Sequence, residues 1–195
     1  MIPGLLLASN NPDKITELKA MLAHLPVKLF SLKDFPDLPS TEEDRDTIAG
    51  NAMKKALEAS KGSGLPCLAD DTGLFIEALD GAPGVYAARF AGENCSYADN
   101  RHKALDLMQG IENRKAEFRT AVALASPAGI ITVVEGKVEG EITNEERGSS
   151  GIGYDSIFAV KGVTYAEMDE ATKNCCSHRA EAIKAVLPVL SKIVE

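Results

Sequence analysis

The sequence lacks the surplus of basic side chains that a general nucleic-acid or anionic-membrane surface requires. Its 195 residues include 21 lysines and arginines against 29 aspartates and glutamates, a formal net charge of −8. A protein with this balance binds polyanions broadly only where it has a basic face. We therefore expect no nucleic-acid partner and no membrane partner. Any anionic substrate must meet lysine and arginine concentrated in one place, or a metal cation.

Three further absences concern the compartment. The four cysteines (Cys67, Cys95, Cys175 and Cys176) form no C-x-x-C pair, so the spacing does not indicate a disulfide framework. The first residues, MIPGLLLASNN, have no basic region and too short an apolar run for a signal peptide. The longest uncharged stretch, 120–134, is interrupted by SPAG and does not predict a membrane span. These features predict reduced thiols and a cytoplasmic protein.

The order of apolar and polar segments is typical of an α/β protein. The apolar run from Pro3 to Ser9 predicts a buried strand, and a helix with an amphipathic stripe follows from Pro12. A second helix is expected from about residue 47 to 61, and residues 116–142 predict a hairpin of two long strands around SPAG. This pattern predicts a mixed sheet with a cleft between two lobes, in a single domain over residues 1–195 without a clean linker.

Two adjacent carboxylates, Asp70 and Asp71, end the next predicted strand, PCLAD. Because like charges repel and a buried carboxylate is costly, such a pair needs a cation or hydrogen-bond donors nearby. A strand end with both acids pointing into water is the plain alternative. Mg²⁺ takes one or two carboxylates together with substrate phosphates and waters, so one aspartate and one loop glutamate, Glu42 or Glu43, would meet its need.

A second polar cluster, SNNPDK, occupies residues 9–14 at the predicted start of the first helix. A helix N-terminus has unpaired N–H groups and a partial positive charge, so it binds phosphate readily. Ser9, Asn10 and Asn11 add short donors, and Lys14 adds a charge one turn later. Ordinary helix capping by Asn11 is the alternative, and the Walker pattern G-x-x-x-x-G-K-[ST] is absent.

Two segments near the C-terminus complete the candidates. TKNCCSHR, residues 172–179, gathers Lys173, His178 and Arg179 at the expected start of the last helix, which is capped by Ser177. Cations there oppose the helix dipole, which indicates that they face acceptors. A zinc site at these cysteines would lack further ligands. GSSGIGYDSIF, residues 148–158, is a glycine-rich loop that allows close backbone approach to a flat ligand.

Together these segments resemble the inosine/xanthosine triphosphate pyrophosphatase family over nearly the whole chain. The most specific parts are ADDTGL…ALDGAPGVYAARFAG, GYD and K…SHR. The resemblance implies an elongated two-lobed α/β fold with a long central mixed β-sheet flanked by helices, a substrate cleft between the lobes, and usually a homodimer. It also implies Mg²⁺-dependent hydrolysis of ITP, dITP or XTP, which are purine nucleoside triphosphates, to the monophosphate and pyrophosphate.

The resemblance further implies roles for individual residues. Asp71 would be the proton acceptor and a metal ligand, Glu42 a second ligand, and Asp70 a support or a ligand of a second ion. The residues implied to contact the triphosphate are Ser9, Asn10, Asn11, Lys14 and Lys55. Thr72 would contact the substrate, and those implied on the base side are Ile152, Gly153, Tyr154, Asp155, Lys173, Ser177, His178 and Arg179.

Three positions depart from the family pattern. Ile152 stands where the F-G-Y-D-P loop has a base-stacking phenylalanine, Ser156 where it has proline, and Gly50 where many relatives carry glutamate. Because base–aromatic stacking is worth about 1–3 kcal/mol, Ile152 is expected to weaken binding or loosen selectivity. Two alternatives stay open: a related-fold pyrophosphatase for other modified or pyrimidine nucleotides, and a nucleotide-binding sensor without hydrolysis.

Overall fold

The computed structural model describes residues 4–194, in which strands and α-helices alternate at the start and four strands follow one another in the second half. Within this range there are eight strands: β1 (Leu5–Leu7), β2 (Leu29–Ser31), β3 (Cys67–Ile76), β4 (Pro83–Gly84), β5 (Lys115–Ser126), β6 (Gly129–Ile142), β7 (Phe158–Val160) and β8 (Val163–Thr164). The five α-helices of the same range are α1 (Pro12–Leu22), α2 (Ile48–Ser63), α3 (Tyr97–Leu107), α4 (Glu170–Cys176) and α5 (His178–Val194). Pro3, the first residue of the first predicted strand, lies outside the described residues.

The strands form one mixed sheet in the order β2-β1-β3-β5-β6-β7-β8, with β4 paired to β3. β1 is parallel to both neighbours, with Leu6 opposite Phe30 on β2 and Cys67 on β3. β7 is antiparallel to β6 and β8. The predicted mixed α/β fold is therefore confirmed, as are the two long strands around the SPAG turn.

The helix boundaries follow from local chemistry. The Asn11 side chain caps α1 by accepting hydrogen bonds from two backbone N–H groups, and Pro12 occupies the first turn, where its missing N–H costs nothing. Thr47 caps α2 in the same way, and Gly64 ends it with a φ of 74°. The Ser96 side chain caps α3 by accepting a hydrogen bond from Asp99 N. In the described part of the chain, no helix combines the length and hydropathy that a bilayer crossing needs.

Two elements differ from the sequence-based expectation. β3 does not end at the acid pair but continues to Ile76, so Asp70 and Asp71 lie in mid-strand, both buried. The strand tolerates them there because each carboxylate has polar partners, described below. The separate helix α4 was not predicted, since seven residues are too few to develop an apolar period.

The described chain forms two compact units whose segments interleave along the sequence. The first unit comprises the chain up to Asp71, Thr120–Gly136 and the chain from Arg179 onward. The second unit comprises Thr72–Arg119 and Lys137–His178. Each has its own apolar core: in the first, α1 and α5 pack on Leu68 and Leu124, and in the second Phe118, Phe158 and Tyr165 are central. The single domain over residues 1–195 stays a prediction.

Candidate active site

Asp70 lies at the centre of a buried ion-pair network in the first unit. Its carboxylate is 3.2 Å from Lys14 Nζ, and Arg179 Nε and Nη2 donate to Asp70 Oδ2 at 3.2 and 3.1 Å. Arg179 Nη1 also donates to Glu17. Burial alone would raise the pKa of Asp70, but the charges of Lys14 and Arg179 hold it well below its ordinary value.

This network bears on two of the predicted roles, which stay predictions. Arg179, which is predicted on the base side, is 2% exposed, and its guanidinium contacts the carboxylates of Asp70 and Glu17. Asp70 is predicted as a possible metal ligand, whereas two basic side chains already neutralise its charge. Glu17 was missed; its place beside Leu18, on the apolar stripe of α1, is the signal that could have identified it.

Asp71 points from β3 into different surroundings. Asn51 Nδ2 donates to Asp71 Oδ2 at 3.0 Å, and Lys55 Nζ lies 3.6 Å from Asp71 Oδ1, both from α2. Asn51 Oδ1 in turn accepts a hydrogen bond from the backbone N–H of Arg45 at 3.0 Å. Burial raises the pKa of Asp71, and Lys55 offsets this only in part. A buried carboxylate with a raised pKa is suited to accept a proton.

The loop before α2 supplies a second carboxylate to this place. Glu43 Oε1 lies 2.5 Å from Lys55 Nζ, and Glu43 contributes to the raised pKa of Asp71. Glu42, the predicted metal ligand, is exposed. Of the two loop glutamates, Glu43 is the one that contacts Lys55, and the metal role of Glu42 stays a prediction. Asn51, also missed, could have been identified from its place four residues before Lys55 on one helix face.

The departure at Gly50 has a packing reason. A Cβ built at Gly50 would lie 2.9 Å from Arg45 Cβ and 3.0 Å from Thr47 Oγ1. A larger side chain would therefore push away the loop that carries Glu43. Glycine at this position allows the loop to lie close to the first turn of α2.

The predicted phosphate turn connects β1 to α1. Asn11 Oδ1 accepts from the backbone N–H groups of Asp13 and Lys14 at 2.9 and 3.3 Å, and Ser9 Oγ accepts from Asn11 N at 3.2 Å. Asn10 is exposed, and its side chain donates to Ser40 Oγ at 3.4 Å. The capping role of Asn11 is confirmed. Burial lowers the pKa of Lys14, and Asp70 counteracts part of this effect.

In the second unit, Asp155 organises the glycine-rich loop. Asp155 Oδ2 lies 2.5 Å from Lys173 Nζ and accepts from the backbone N–H of Ile152 at 2.6 Å. Both ionised side chains are buried, at 3% and 5% exposure. Gly151, with a φ of 83°, is required here, since a Cβ would lie 2.3 Å from Asp155 Oδ2. The structure thus brings Asp155 and Lys173 together as a unit.

His178 is held by aromatic rings that the sequence analysis did not assign to the site. The Phe118 ring stacks on the His178 imidazole with centroids 4.4 Å apart and an interplanar angle of 24°, and Tyr165 lies 6.0 Å away. Ser177 is buried next to it, and its backbone N–H donates to Lys173 O at 2.9 Å. Phe118 faces inward from β5, so the alternation of that strand was the available signal.

The remaining predicted residues differ in exposure. Tyr154 is buried in the core of the second unit, and its hydroxyl donates to Ala87 O at 2.8 Å. Its ring is therefore part of the packing that supports the loop. Ile152, Gly153 and Thr72 are half-buried.

The acidic side chains near Lys55 are candidates for a metal site. Within residues 4–194, no group of three or more His, Cys, Asp and Glu side chains is arranged to hold a metal ion. Asp71 and Glu43 nevertheless converge on the single ammonium group of Lys55. Two carboxylates that share one cation fit a Mg²⁺ ion that takes its other oxygens from phosphate and water.

Lysines from two helices, Lys14 and Lys55, lie beside buried carboxylates of one strand in a mixed α/β sheet, an arrangement suited to the class of proteins that bind phosphorylated substrates. The chain belongs to the Ham1 family, whose profile matches residues 5–189.

Curated relatives and solved structures are similar over almost the full length. The chain is 46% identical over 183 residues to the dITP/XTP pyrophosphatase of Geobacter sulfurreducens, with 92% of each chain covered. It is 44% identical over 193 residues to that of Desulforamulus reducens, covering 97% of this chain and 96% of the relative. The structure of a HAM1 protein from Coxiella burnetii matches with a TM-score of 0.88 and 38% identity, covering 98% of this chain and 100% of that one. The structure of the nucleoside-triphosphatase / dITP/XTP pyrophosphatase from Mycobacterium abscessus matches with a TM-score of 0.75 and 40% identity, covering 95% of this chain and 99% of that one.

Proposed function

We propose that the chain hydrolyses the non-standard purine nucleoside triphosphates ITP, dITP and XTP to the monophosphate and pyrophosphate, and so clears them from the nucleotide pool. The full-length similarity to proteins named dITP/XTP pyrophosphatases supports this proposal. The observation that carries it is Asp71, a buried carboxylate with a raised pKa beside Asn51 and Lys55. A sensor without hydrolysis would not need such a group.

Triphosphate binding is assigned to the first unit. Lys14 and Lys55 supply the two positive charges, and the partial positive charge at the N-terminus of α1 lies next to Asn10. Ser9 and Asn11 shape this turn through the hydrogen bond between them. Two lysines on different helices would bind different phosphates as point charges.

Mg²⁺ is the divalent ion that we assign to Asp71 and Glu43. When bound, it would neutralise phosphate charge and lower the pKa of a water molecule. The assignment rests on the two carboxylates that approach Lys55. Thr72 follows Asp71 directly on β3, and we assign its hydroxyl to the substrate.

Asp71 then acts as the general base. It accepts the proton of a water molecule that attacks the α-phosphorus, a role that a carboxylate held in place by Asn51 can fill. The bond to the bridging oxygen breaks and pyrophosphate leaves. Lys14 and Lys55 stabilise the negative charge that the leaving group gains, as is general for phosphoryl chemistry.

Base selection is assigned to the second unit. Inosine and xanthosine carry a 6-keto oxygen, an acceptor, where adenine has an amino donor. Lys173 and His178 offer hydrogen-bond donors. The amino group of adenine is also a donor, so it would face these donors without an acceptor, which is unfavourable. Asp155 orients Lys173, and Phe118 holds the His178 ring. Ile152 would cover the purine through apolar contact, and Gly153 allows close backbone approach.

Two further properties are proposed from the family resemblance alone. We expect a homodimer and a cytoplasmic location, which sedimentation analysis and cell fractionation would test.

The deciding experiment measures products from a panel of ITP, dITP, XTP, GTP, ATP and CTP, with and without Mg²⁺. We expect monophosphate and pyrophosphate from the first three, and only when the ion is present. Formation of a nucleoside diphosphate and orthophosphate would overturn the attack at the α-phosphorus. Asp71→Asn, purified in parallel, shows whether a contaminating phosphatase contributes.

A further inference from the structure

Three polar side chains connect both ends of the glycine-rich loop to its middle. We call residues 148–156 the base loop. Ser156 Oγ donates to Glu146 Oε2 at 2.9 Å, and Arg101 Nε on α3 donates to the same oxygen at 2.8 Å. Arg101 Nη1 also donates to the backbone carbonyl of Gly153 at 3.0 Å. The result is a continuous hydrogen-bonded path from residue 146, just before the loop, to its last residue and its centre.

The base loop needs such restraint because of its backbone. Three of its glycines, Gly148, Gly151 and Gly153, have φ angles of 83°, 83° and 60°, a region that other residues rarely adopt. Glycine also loses more conformational freedom on ordering than any other residue. A Cβ at Gly153 would meet nothing within 4 Å, so side-chain packing does not hold that position. The hydrogen bond that Arg101 donates to the Gly153 carbonyl holds it instead.

We propose that Glu146 and Arg101 are positioning residues of the base loop, and that with Ser156 they do here what proline does in the F-G-Y-D-P pattern. Proline would restrict the last residue of the loop through its fixed φ. Here the Ser156 hydroxyl restricts the same residue through Glu146, and Arg101 extends the restraint to the Gly153 peptide. The inference rests on the proposed function, in which this loop lies against the base.

The effect is expected on loop order more than on global stability. The side chains of Arg101 and Glu146 are 19% and 33% exposed, and exposed ion pairs contribute little to folding. The inner anchor of the loop, Asp155 with Ile152 N and Lys173, does not involve these side chains. Breaking the outer restraint therefore leaves the loop attached but more mobile, which raises the ordering cost of binding.

The first test is hydrogen exchange of peptides covering residues 148–156. Glu146→Gln removes the charge that holds Arg101 and Ser156, and we expect faster exchange in these peptides. Glu145→Gln makes the same charge change one residue earlier at an exposed side chain, and is expected to exchange as wild type. Equal exchange in wild type and Glu146→Gln would overturn the inference. This measurement does not depend on turnover.

The second test is steady-state kinetics on ITP. Glu146→Gln and Ser156→Ala are each expected to raise KM by about three- to tenfold, with kcat within about twofold, since the ordering cost falls on binding. Adding Ser156→Pro to Glu146→Gln should return KM toward wild type, because proline restricts the loop without Glu146. A fall in kcat without a change in KM, or no rescue by proline, would contradict a positioning role.

The two levels of proposal fail in different ways. A wild-type protein that releases no pyrophosphate from any triphosphate overturns the proposed function before a variant is made. Normal wild-type activity with unchanged exchange and KM in Glu146→Gln overturns the positioning inference alone.

Discussion

The two faces of β3 carry the same acidic side chain in opposite surroundings. On one face Asp70 lies between Lys14 and Arg179, from α1 and α5, and its pKa is far below the ordinary value. On the other face Asp71 meets Asn51 and Lys55 of α2, and its pKa is raised. Successive strand residues point to opposite faces, so one peptide step separates the two environments.

The contrast teaches that adjacency in sequence does not imply a shared role. Asp70 is neutralised by two basic side chains and serves to hold α1, β3 and α5 together. Asp71 has an amide donor and a more distant ammonium, so its charge is less well compensated. Four substitutions test this contrast, from the largest expected effect to the smallest.

Asp70→Asn should destabilise the folded protein. It leaves Lys14 and Arg179 buried with less counter-charge, and breaking a buried pair in this way costs about 3–5 kcal/mol of unfolding free energy. Denaturant unfolding at neutral pH measures the loss. An unchanged unfolding midpoint would mean that the network contributes nothing to the fold.

The pH dependence of the same variant sharpens the assignment. Because the folded pKa of Asp70 lies below its ordinary value near 3.8, its ionised form stabilises the wild type above that pH. The contribution is lost as the pH falls from there toward the folded pKa. Unfolding free energies measured through this acidic range should therefore decline less steeply in Asp70→Asn than in wild type.

Asp71→Asn should abolish most of the activity without unfolding the protein. We expect kcat to fall at least ~100-fold, as is usual for loss of a general base. Because burial raises the pKa of Asp71, its ionised form costs stability above the ordinary value, so the metal-free variant should melt at a higher temperature than wild type near neutral pH.

Melting curves and product assays on one preparation check both outcomes for Asp71→Asn. Near wild-type turnover would reassign the proton acceptor. A lower melting temperature would contradict the electrostatic contrast between the two faces.

Glu17→Gln tests whether Arg179 stabilises the fold together with Asp70 or contacts the base. The substitution removes one of the two carboxylates that contact the guanidinium, and a hydrogen bond to a charged group is worth about 1.5–3 kcal/mol. Stability should fall while kcat/KM for ITP changes less than about threefold. A large change in the ratio of ITP to GTP hydrolysis, with stability intact, would return Arg179 to the base side.

Asn51→Ala removes the donor to Asp71 and the contact with Arg45 N. Loss of a supporting hydrogen bond of this kind costs about tenfold in activity. Asn100→Ala is the matched control, since Asn100 is also buried and bonds the backbone of Ala88 and Ala91 in the second unit. The turnover rate per folded molecule should fall in Asn51→Ala and not in Asn100→Ala. Equal losses of activity in the two variants would indicate a general packing effect.

Much of the fold could be predicted from the sequence because it depends on neighbouring residues. Asn11, Thr47 and Ser96 cap helices through hydrogen bonds that span two or three residues, and Gly64 ends α2 by its own backbone freedom. The hairpin follows from two apolar runs around SPAG. The candidate site was also found as a set of segments, because the motifs resemble those of a family.

The division of roles within the site was decided by the tertiary structure alone. Arg179 meets Asp70 across 109 residues and Glu17 across 162, and no local pattern specifies which carboxylate a distant guanidinium will reach. The same holds for Glu43, whose contact with Lys55 depends on which side of an extended loop faces α2. Sequence determined that two carboxylates would stand side by side on a strand. Only the packing of three helices against that strand shifted their pKa values in opposite directions, because the charges that set a pKa come from whatever the fold brings near.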